Sequence, residues 1–85
     1  MKESKKTILL VEDDLRLSEL VSDYLEKQGY DTRVECRGDK AVNRIVTEMP
    51  DMIILDLMLP GKDGLSICRD VRTSYTGPIL ILTAR

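Results

Sequence analysis

Carboxylates follow two of the apolar runs in the sequence. Glu12, Asp13 and Asp14 come directly after the first run, and Asp56 comes directly after a Met-Ile-Ile-Leu run. A lone acid at the end of a buried apolar segment costs solvation energy unless something compensates its charge. Carboxylates that cluster also raise one another's pKa, unless a cation keeps them ionised. The pattern therefore indicates a cation site if these acids lie together.

Magnesium-dependent phosphoryl transfer is the chemistry that these residue types favour. Mg2+ suits a site of two or three carboxylates that retains several waters and leaves room for a phosphate oxygen. A carboxylate beside Mg2+ can attack phosphorus and form an aspartyl phosphate, a role that suits Asp56. Thr83 follows the last apolar run and would donate a hydrogen bond to a phosphoryl oxygen.

Two other interpretations use the same residues. A haloacid-dehalogenase-type phosphatase also has a strand-end Asp nucleophile, but its second Asp stands two residues later, where this sequence has Met58. A plain interaction module would leave the acids solvated, and Asp14 alone is typical of a helix N-cap. The chain has no histidine, which excludes Ser-His triads and His general bases. No P-loop or G-x-G-x-x-G pattern follows the first run, so the sequence gives no support for nucleotide or dinucleotide binding.

Length and composition limit the function further. With 85 residues, the chain is expected to form one small domain. Its net charge of -2 gives no electrostatic attraction for nucleic acid or an anionic membrane. Two cysteines, Cys36 and Cys68, are typical of a reducing compartment, and no signal peptide or membrane-spanning segment is present. We therefore expect a cytoplasmic protein without a membrane partner.

The elements that must position the acids alternate along the chain as β-α-β-α-β-α-β. The apolar runs predict strands over residues 7–11, 30–35, 52–55 and 79–82, the second of them polar enough for a sheet edge. Capping and breaking residues predict helices between Asp14 and Gly29, between Gly38 and Pro50, and over 65–74. The first helix has one apolar face, predicted to be buried, formed by Leu17, Leu20, Val21, Tyr24 and Leu25.

This order of elements brings the acids together. Strands that alternate with helices form a mostly parallel sheet with right-handed crossovers. Ligands of such sheets bind at the carboxyl ends of the strands. The acids after the first and third strands and the hydroxyl after the fourth are therefore expected at one edge of the sheet.

Three blocks of the sequence resemble the receiver domain of bacterial response regulators. The blocks are ILLVEDD at 8–14, PDMIILDLMLPGKDG at 50–64 and PILILTAR at 78–85, and they occur in the family's order and spacing. The resemblance extends over the whole chain. The acid block and the Leu-Met-Leu-Pro-Gly segment are most similar to the OmpR/PhoB branch, whose members carry a C-terminal winged-helix DNA-binding domain.

The resemblance implies a role for each site residue. Asp56 would accept phosphate from a sensor histidine kinase, and Thr83 would be the switch hydroxyl. Asp13, Asp56 and the main-chain carbonyl of Met58 would bind Mg2+ directly, and Glu12 would act through a metal-bound water. Such a protein is a phosphoacceptor that at most assists its own phosphorylation and dephosphorylation, not an enzyme. It would switch a DNA-binding transcription-regulator domain; the alternative is a stand-alone receiver that relays phosphate or docks on a partner.

The resemblance also implies a flavodoxin-like, doubly wound parallel sheet with strand order 2-1-3-4-5. The chain reaches strand four, so we expect residues 1–85 to be the N-terminal part of a receiver, truncated before the last helix-strand-helix and any effector domain. That missing part would hold the phosphate-pairing lysine, which Lys62 is not expected to replace, and the homodimer face of the intact protein. We also expect strand four to be a bare sheet edge through which the fragment associates or becomes unstable.

Overall fold

The computed structural model describes residues 5–82 and contains the seven elements in the predicted order. The second strand begins one residue later than predicted, and the third helix ends at Val71 instead of residue 74 because residues 72–74 form a turn. The elements are β1 (Thr7–Val11), α1 (Leu15–Lys27), β2 (Asp31–Glu35), α2 (Gly38–Glu48), β3 (Met52–Asp56), α3 (Gly64–Val71) and β4 (Ile79–Leu82).

The four strands form one parallel sheet in the order β2-β1-β3-β4. This confirms the predicted parallel sheet and matches the first four strands of the expected order. β1 and β3 are the two interior strands, and their continuous aliphatic runs are buried on both faces, as parallel strands covered by helices require.

The core is divided between the two faces of the sheet. On one face α2 and α3 cover β1 and β3, and on the other face α1 packs alone over Ile8, Leu10 and Ile54. The larger cluster consists of Leu9, Val11, Ala41, Ile45, Ile53, Leu55, Ile67, Val71 and Tyr75.

The prediction for the apolar face of α1 was wrong in part. Val21 and Leu25 pack on the sheet, but Leu20 and Tyr24 are 69% and 63% exposed, and Leu17 is also exposed. The reason is that α1 is the only helix described on its face of the sheet. A single helix buries only the narrow stripe that points at the strands, so the residues that flank this stripe remain in solvent.

The end of α1 depends on a glycine. Gly29 follows the C-cap with a φ of +98°, a conformation that other residues adopt only with strain. Its amide donates to the carbonyl of Glu26, and the amide of Tyr30 donates to that of Leu25. A Cβ added at Gly29 would meet nothing within 4 Å.

Among residues 5–82, no helix has the length and apolar character needed to cross a membrane.

Strand β2 lies at the edge of the sheet, as predicted, and Arg44 of α2 covers part of that edge. The Arg44 guanidinium donates to the Val34 carbonyl over 2.9 Å and pairs with Glu48 at 2.9 Å and with Glu35 at 3.4 Å. The hydrogen bond from Arg44 lowers the pKa of Glu48. A guanidinium that occupies strand carbonyls makes the edge less available for pairing with another chain.

The orientation of α2 can be tested at two adjacent positions. Ile45 is fully buried in the larger cluster, whereas Val46 is 42% exposed. Ile45→Ala is expected to lower the free energy of unfolding by about 3 kcal/mol because it leaves a cavity. Val46→Ala is expected to lower it by less than about 1 kcal/mol. Urea unfolding measures both, and equal losses at the two positions would contradict this orientation.

Candidate functional site

Three carboxylates converge where β1 and β3 end. Glu12 and Asp13 directly follow β1, Asp56 is the last residue of β3, and the two strands pair in parallel with Val11 opposite Leu55. One carboxylate oxygen from each acid lies within 4.8 Å of the oxygens of the other two. The structure thus brings together three of the site residues that the sequence indicated.

Glu12 is the buried member of this acid cluster, Glu12-Asp13-Asp56. Its side chain is 3% exposed, and its Oε2 accepts a hydrogen bond of 3.0 Å from the amide of Asp14. Burial raises the pKa of Glu12, and the negative charges of Asp56 and Asp13 raise it further, while the amide hydrogen bond opposes the shift. The charged form of Glu12 is therefore held in the site at a cost that a nearby cation would offset.

Asp56 is half-buried and is linked to the loop that follows it. Its Oδ1 accepts a hydrogen bond of 3.1 Å from the amide of Met58, so the carboxylate and the first turn of the loop are fixed relative to each other. The three acids and Met58 share an open cavity of about 480 Å³, which is also lined by Asp14, Leu17, Val21 and Leu82. This cavity leaves room for a phosphate-sized group beside the acids.

Two further acids near the cavity have structural roles. Asp14 is the N-cap of α1, as predicted, and accepts from the amides of Arg16 and Leu17 over 3.0 and 3.2 Å. Asp63 is the N-cap of α3 and accepts from the amide and the hydroxyl of Ser66, which lower its pKa. Both side chains satisfy helix N-termini, which explains why they are acids without a part in the cluster.

Two predicted positions need separate comment. Thr83, the predicted switch hydroxyl, lies outside the described residues, and so does the small residue Ala84 that follows it. Lys62 forms an ion pair with Asp70 of α3. This pair holds the Lys62 ammonium along α3.

The sequence did not identify the apolar wall of the site. Leu17 and Val21 line the cavity, although the sequence placed both in the core face of α1. They lie four residues apart and so share a helix face one turn after the Asp14 cap. This spacing, on a helix that begins at the acid block, is the sequence pattern from which the apolar wall of the cavity could have been predicted.

Comparison with known proteins identifies the same family as the resemblance in the sequence. Residues 8–85 match the family described as response regulator receiver domain. The chain belongs to this family. It is 50% identical over 78 residues to the transcriptional regulatory protein RstA of Escherichia coli (strain K12), an alignment that covers 92% of this chain and 33% of that protein. The receiver thus spans about a third of the length of this curated relative.

Solved structures support the fold assignment. The BeF3-activated N-terminal receiver domain of Klebsiella pneumoniae RstA superposes with a TM-score of 0.89 at 48% identity, covering 94% of this chain and 68% of that one. The receiver domain of the Francisella response regulator 1452 has a TM-score of 0.89 at 31% identity, covering 94% of this chain and 67% of that one. The four-stranded order found here is therefore a receiver sheet.

The raised pKa of Glu12 predicts an unusual dependence of stability on pH. Without divalent cations, protonation of Glu12 should stabilise the folded receiver as the pH falls through the raised pKa, because the unfolded chain binds this proton only at lower pH. Glu12→Gln keeps an oxygen acceptor for the Asp14 amide and removes the charge. We expect the variant to be more stable than the parent at neutral pH, with the difference vanishing in acid.

Urea unfolding of both chains across that pH range measures the difference between them. Aspartates and glutamates elsewhere lose stabilising charge in acid, but they do so equally in both chains. A variant that is less stable than the parent at neutral pH in the absence of divalent cations would contradict the prediction.

Proposed function

We propose that Asp56 is the phosphoacceptor of a two-component response regulator and that a sensor histidine kinase supplies the phosphoryl group. The observation that carries this proposal is the acid cluster at the ends of β1 and β3, in a chain that belongs to the receiver family. In the transfer, a carboxylate oxygen of Asp56 bonds to phosphorus while the bond from phosphorus to the kinase nitrogen breaks. The chain is thus an acceptor rather than an enzyme that acts on a separate substrate.

The acid cluster offers oxygen donors of the kind that Mg2+ prefers, which supports its assignment as the cation site. Hard oxygen donors lie close together, and the pKa of Glu12 is raised by its burial and, to a lesser degree, by the charges of Asp56 and Asp13. We assign direct contacts with Mg2+ to Asp13, Asp56 and the main-chain carbonyl of Met58, and a contact through water to Glu12. When bound, the ion would neutralise charge on the phosphoryl oxygens.

The residues around Asp56 have distinct tasks in the proposed transfer. The Met58 amide orients the Asp56 carboxylate through its hydrogen bond to Oδ1. The open cavity admits the phosphoryl donor beside the acids. Thr83 is proposed as the switch hydroxyl that donates to the phosphoryl group after transfer. A phosphatase of the haloacid-dehalogenase type is disfavoured because Met58 has no carboxylate to act as its acid and base.

The role of the whole protein is inferred from its relatives. We propose that residues 1–85 form the N-terminal part of a receiver that acts in the cytoplasm, dimerises when phosphorylated and switches a C-terminal winged-helix DNA-binding domain. The support is the 50% identity to a protein named as a transcriptional regulator, of which this chain covers 33%. A stand-alone phosphorelay receiver is the alternative, and the gene sequence that follows the codon for Arg85 distinguishes the two.

Phosphorylation of Asp56 can be tested by intact-mass spectrometry with acetyl phosphate and Mg2+. The receiver completed with its last helix-strand-helix is expected to gain the mass of one phosphoryl group, and Asp56→Asn is expected to abolish the gain because an amide is not a competent nucleophile. Asp23→Asn is the matched control, since Asp23 is an exposed acid on α1 outside the cluster. A gain that survives in Asp56→Asn, or no gain in the completed receiver, would overturn the proposal.

The outer edge of β4 predicts self-association of the 85-residue chain. β4 pairs with β3 on one side, no described strand covers its other side, and Leu80 and Ile81 are 53% and 37% exposed. Exposed apolar edges pair readily with other chains. Sedimentation should show association that Leu80→Lys weakens, whereas Leu20→Lys on α1 leaves it unchanged. A monomeric chain that unfolds cooperatively at all concentrations tested would refute this prediction.

A further inference from the structure

The loop between β3 and α3, residues 57–63, contains the main-chain carbonyl that we assign to the cation. Its two ends lie against each other. The amide of Gly64 donates to the carbonyl of Leu57 over 3.1 Å, and a Cβ added at Gly64 would come within 2.8 Å of the carbonyl oxygen of Asp56. The loop is therefore closed by main-chain contacts at the point where it leaves the acid cluster.

The middle of this loop rests on the N-terminus of α2. The amide of Gly38 donates to the Pro60 carbonyl over 3.0 Å, and a Cβ added at Gly38 would overlap the Lys62 carbonyl. Gly61 has a φ of +91°, and a Cβ there would lie 2.8 Å from Oδ1 of Asp39. The first turn of α2 and the loop thus meet backbone against backbone, with no space for a methyl group.

Met58 lies between these two anchored points. Its amide is fixed to Asp56, and two residues later Pro60 is fixed to Gly38. A carbonyl ligand has no rotatable side chain with which to adjust, so its position depends only on the main chain. Mg2+ demands near-ideal octahedral geometry and tolerates small ligand displacements poorly.

We propose that Gly38 is a positioning residue for the cation site, acting through the 57–63 loop on the Met58 carbonyl. This inference rests on the proposed function, because it takes the Met58 carbonyl to be a ligand. Gly38 itself contacts Pro60 and Lys62 and does not belong to the acid cluster. Its part is to hold the loop in the position from which Met58 faces the acids.

The rigidity of α2 determines whether the helix or the 57–63 loop would move if a methyl group were added at Gly38. Ala41 and Ile45, in the next turns of α2, are fully buried against the sheet and α3, whereas Pro60 and Gly61 of the loop are exposed. A packed helix resists displacement more strongly than an exposed loop does. The added methyl group would therefore displace the loop, and Met58 with it.

Gly38→Ala is the direct test, with Mn2+ as the probe and its enhancement of water-proton relaxation as the measure of affinity. We expect Gly38→Ala to weaken Mn2+ binding about tenfold, as loss of groups that orient metal ligands does. Gly29→Ala is the matched control, because it adds strain at a positive φ far from the loop and meets no atom within 4 Å. It should destabilise the fold with unchanged affinity, and Asp13→Asn should abolish binding.

A second measurement needs no variant, and it tests the role of Gly38 even if Gly38→Ala does not fold. Coupling between two sites is reciprocal, so a cation that depends on the docked loop must also stabilise the docking. Saturating Mg2+ should slow hydrogen exchange of the Gly38 amide, which donates to Pro60, more than that of the Gly29 amide, which donates to Glu26. Equal effects of Mg2+ on the two amides would overturn the inference.

The outcomes separate this inference from the proposed function. If the parent chain binds no Mn2+, the proposed cation site is refuted, and so is the role of Gly38. A parent chain that binds Mn2+, with Gly38→Ala binding equally well, would remove only the role of Gly38.

Discussion

The parallel pairing of β1 and β3 is the constraint on which the site depends. Their register places Val11 beside Leu55, so the residues that follow β1 and the last residue of β3 meet at one edge of the sheet. Both strands are buried on both faces, and the hydrophobic effect that holds them together is much larger than the repulsion among three carboxylates. The core therefore keeps the acids at a separation that they would not maintain in a flexible chain.

The acids differ in environment although two of them are adjacent in the sequence. Glu12 points into the protein, where burial and its neighbours raise its pKa, while Asp13 is exposed. The amide of Asp14, which begins the turn into α1, holds the Glu12 carboxylate in this position. One helix start thus has two effects, because the Asp14 side chain caps α1 and its main chain orients Glu12.

Much of the fold could be predicted from the sequence because apolar runs and helix caps are local signals. The alternation of strands and helices predicts the parallel sheet, and the polar sequence of β2 predicts its edge position. The residue type of Asp14 predicts the cap, and acids at the ends of buried strands predict the convergence of Glu12, Asp13 and Asp56. The burial of some side chains could not be predicted, because it depends on contacts between segments that are distant in the sequence. Tyr75 is buried in the irregular segment between α3 and β4, where the sequence has no periodic pattern that would predict burial. Leu20 and Tyr24 are exposed because no described helix lies beside α1.

The contact between α2 and the 57–63 loop is made at two glycines, Gly38 and Gly61, where an added Cβ would meet Lys62 and Asp39. Two side chains of the loop add to this contact, because Leu59 packs against the larger cluster and Lys62 pairs with Asp70 of α3. Because neither position has space for a methyl group, substitution of Gly38 or Gly61 must shift the loop or the helix, so the two elements cannot change shape independently.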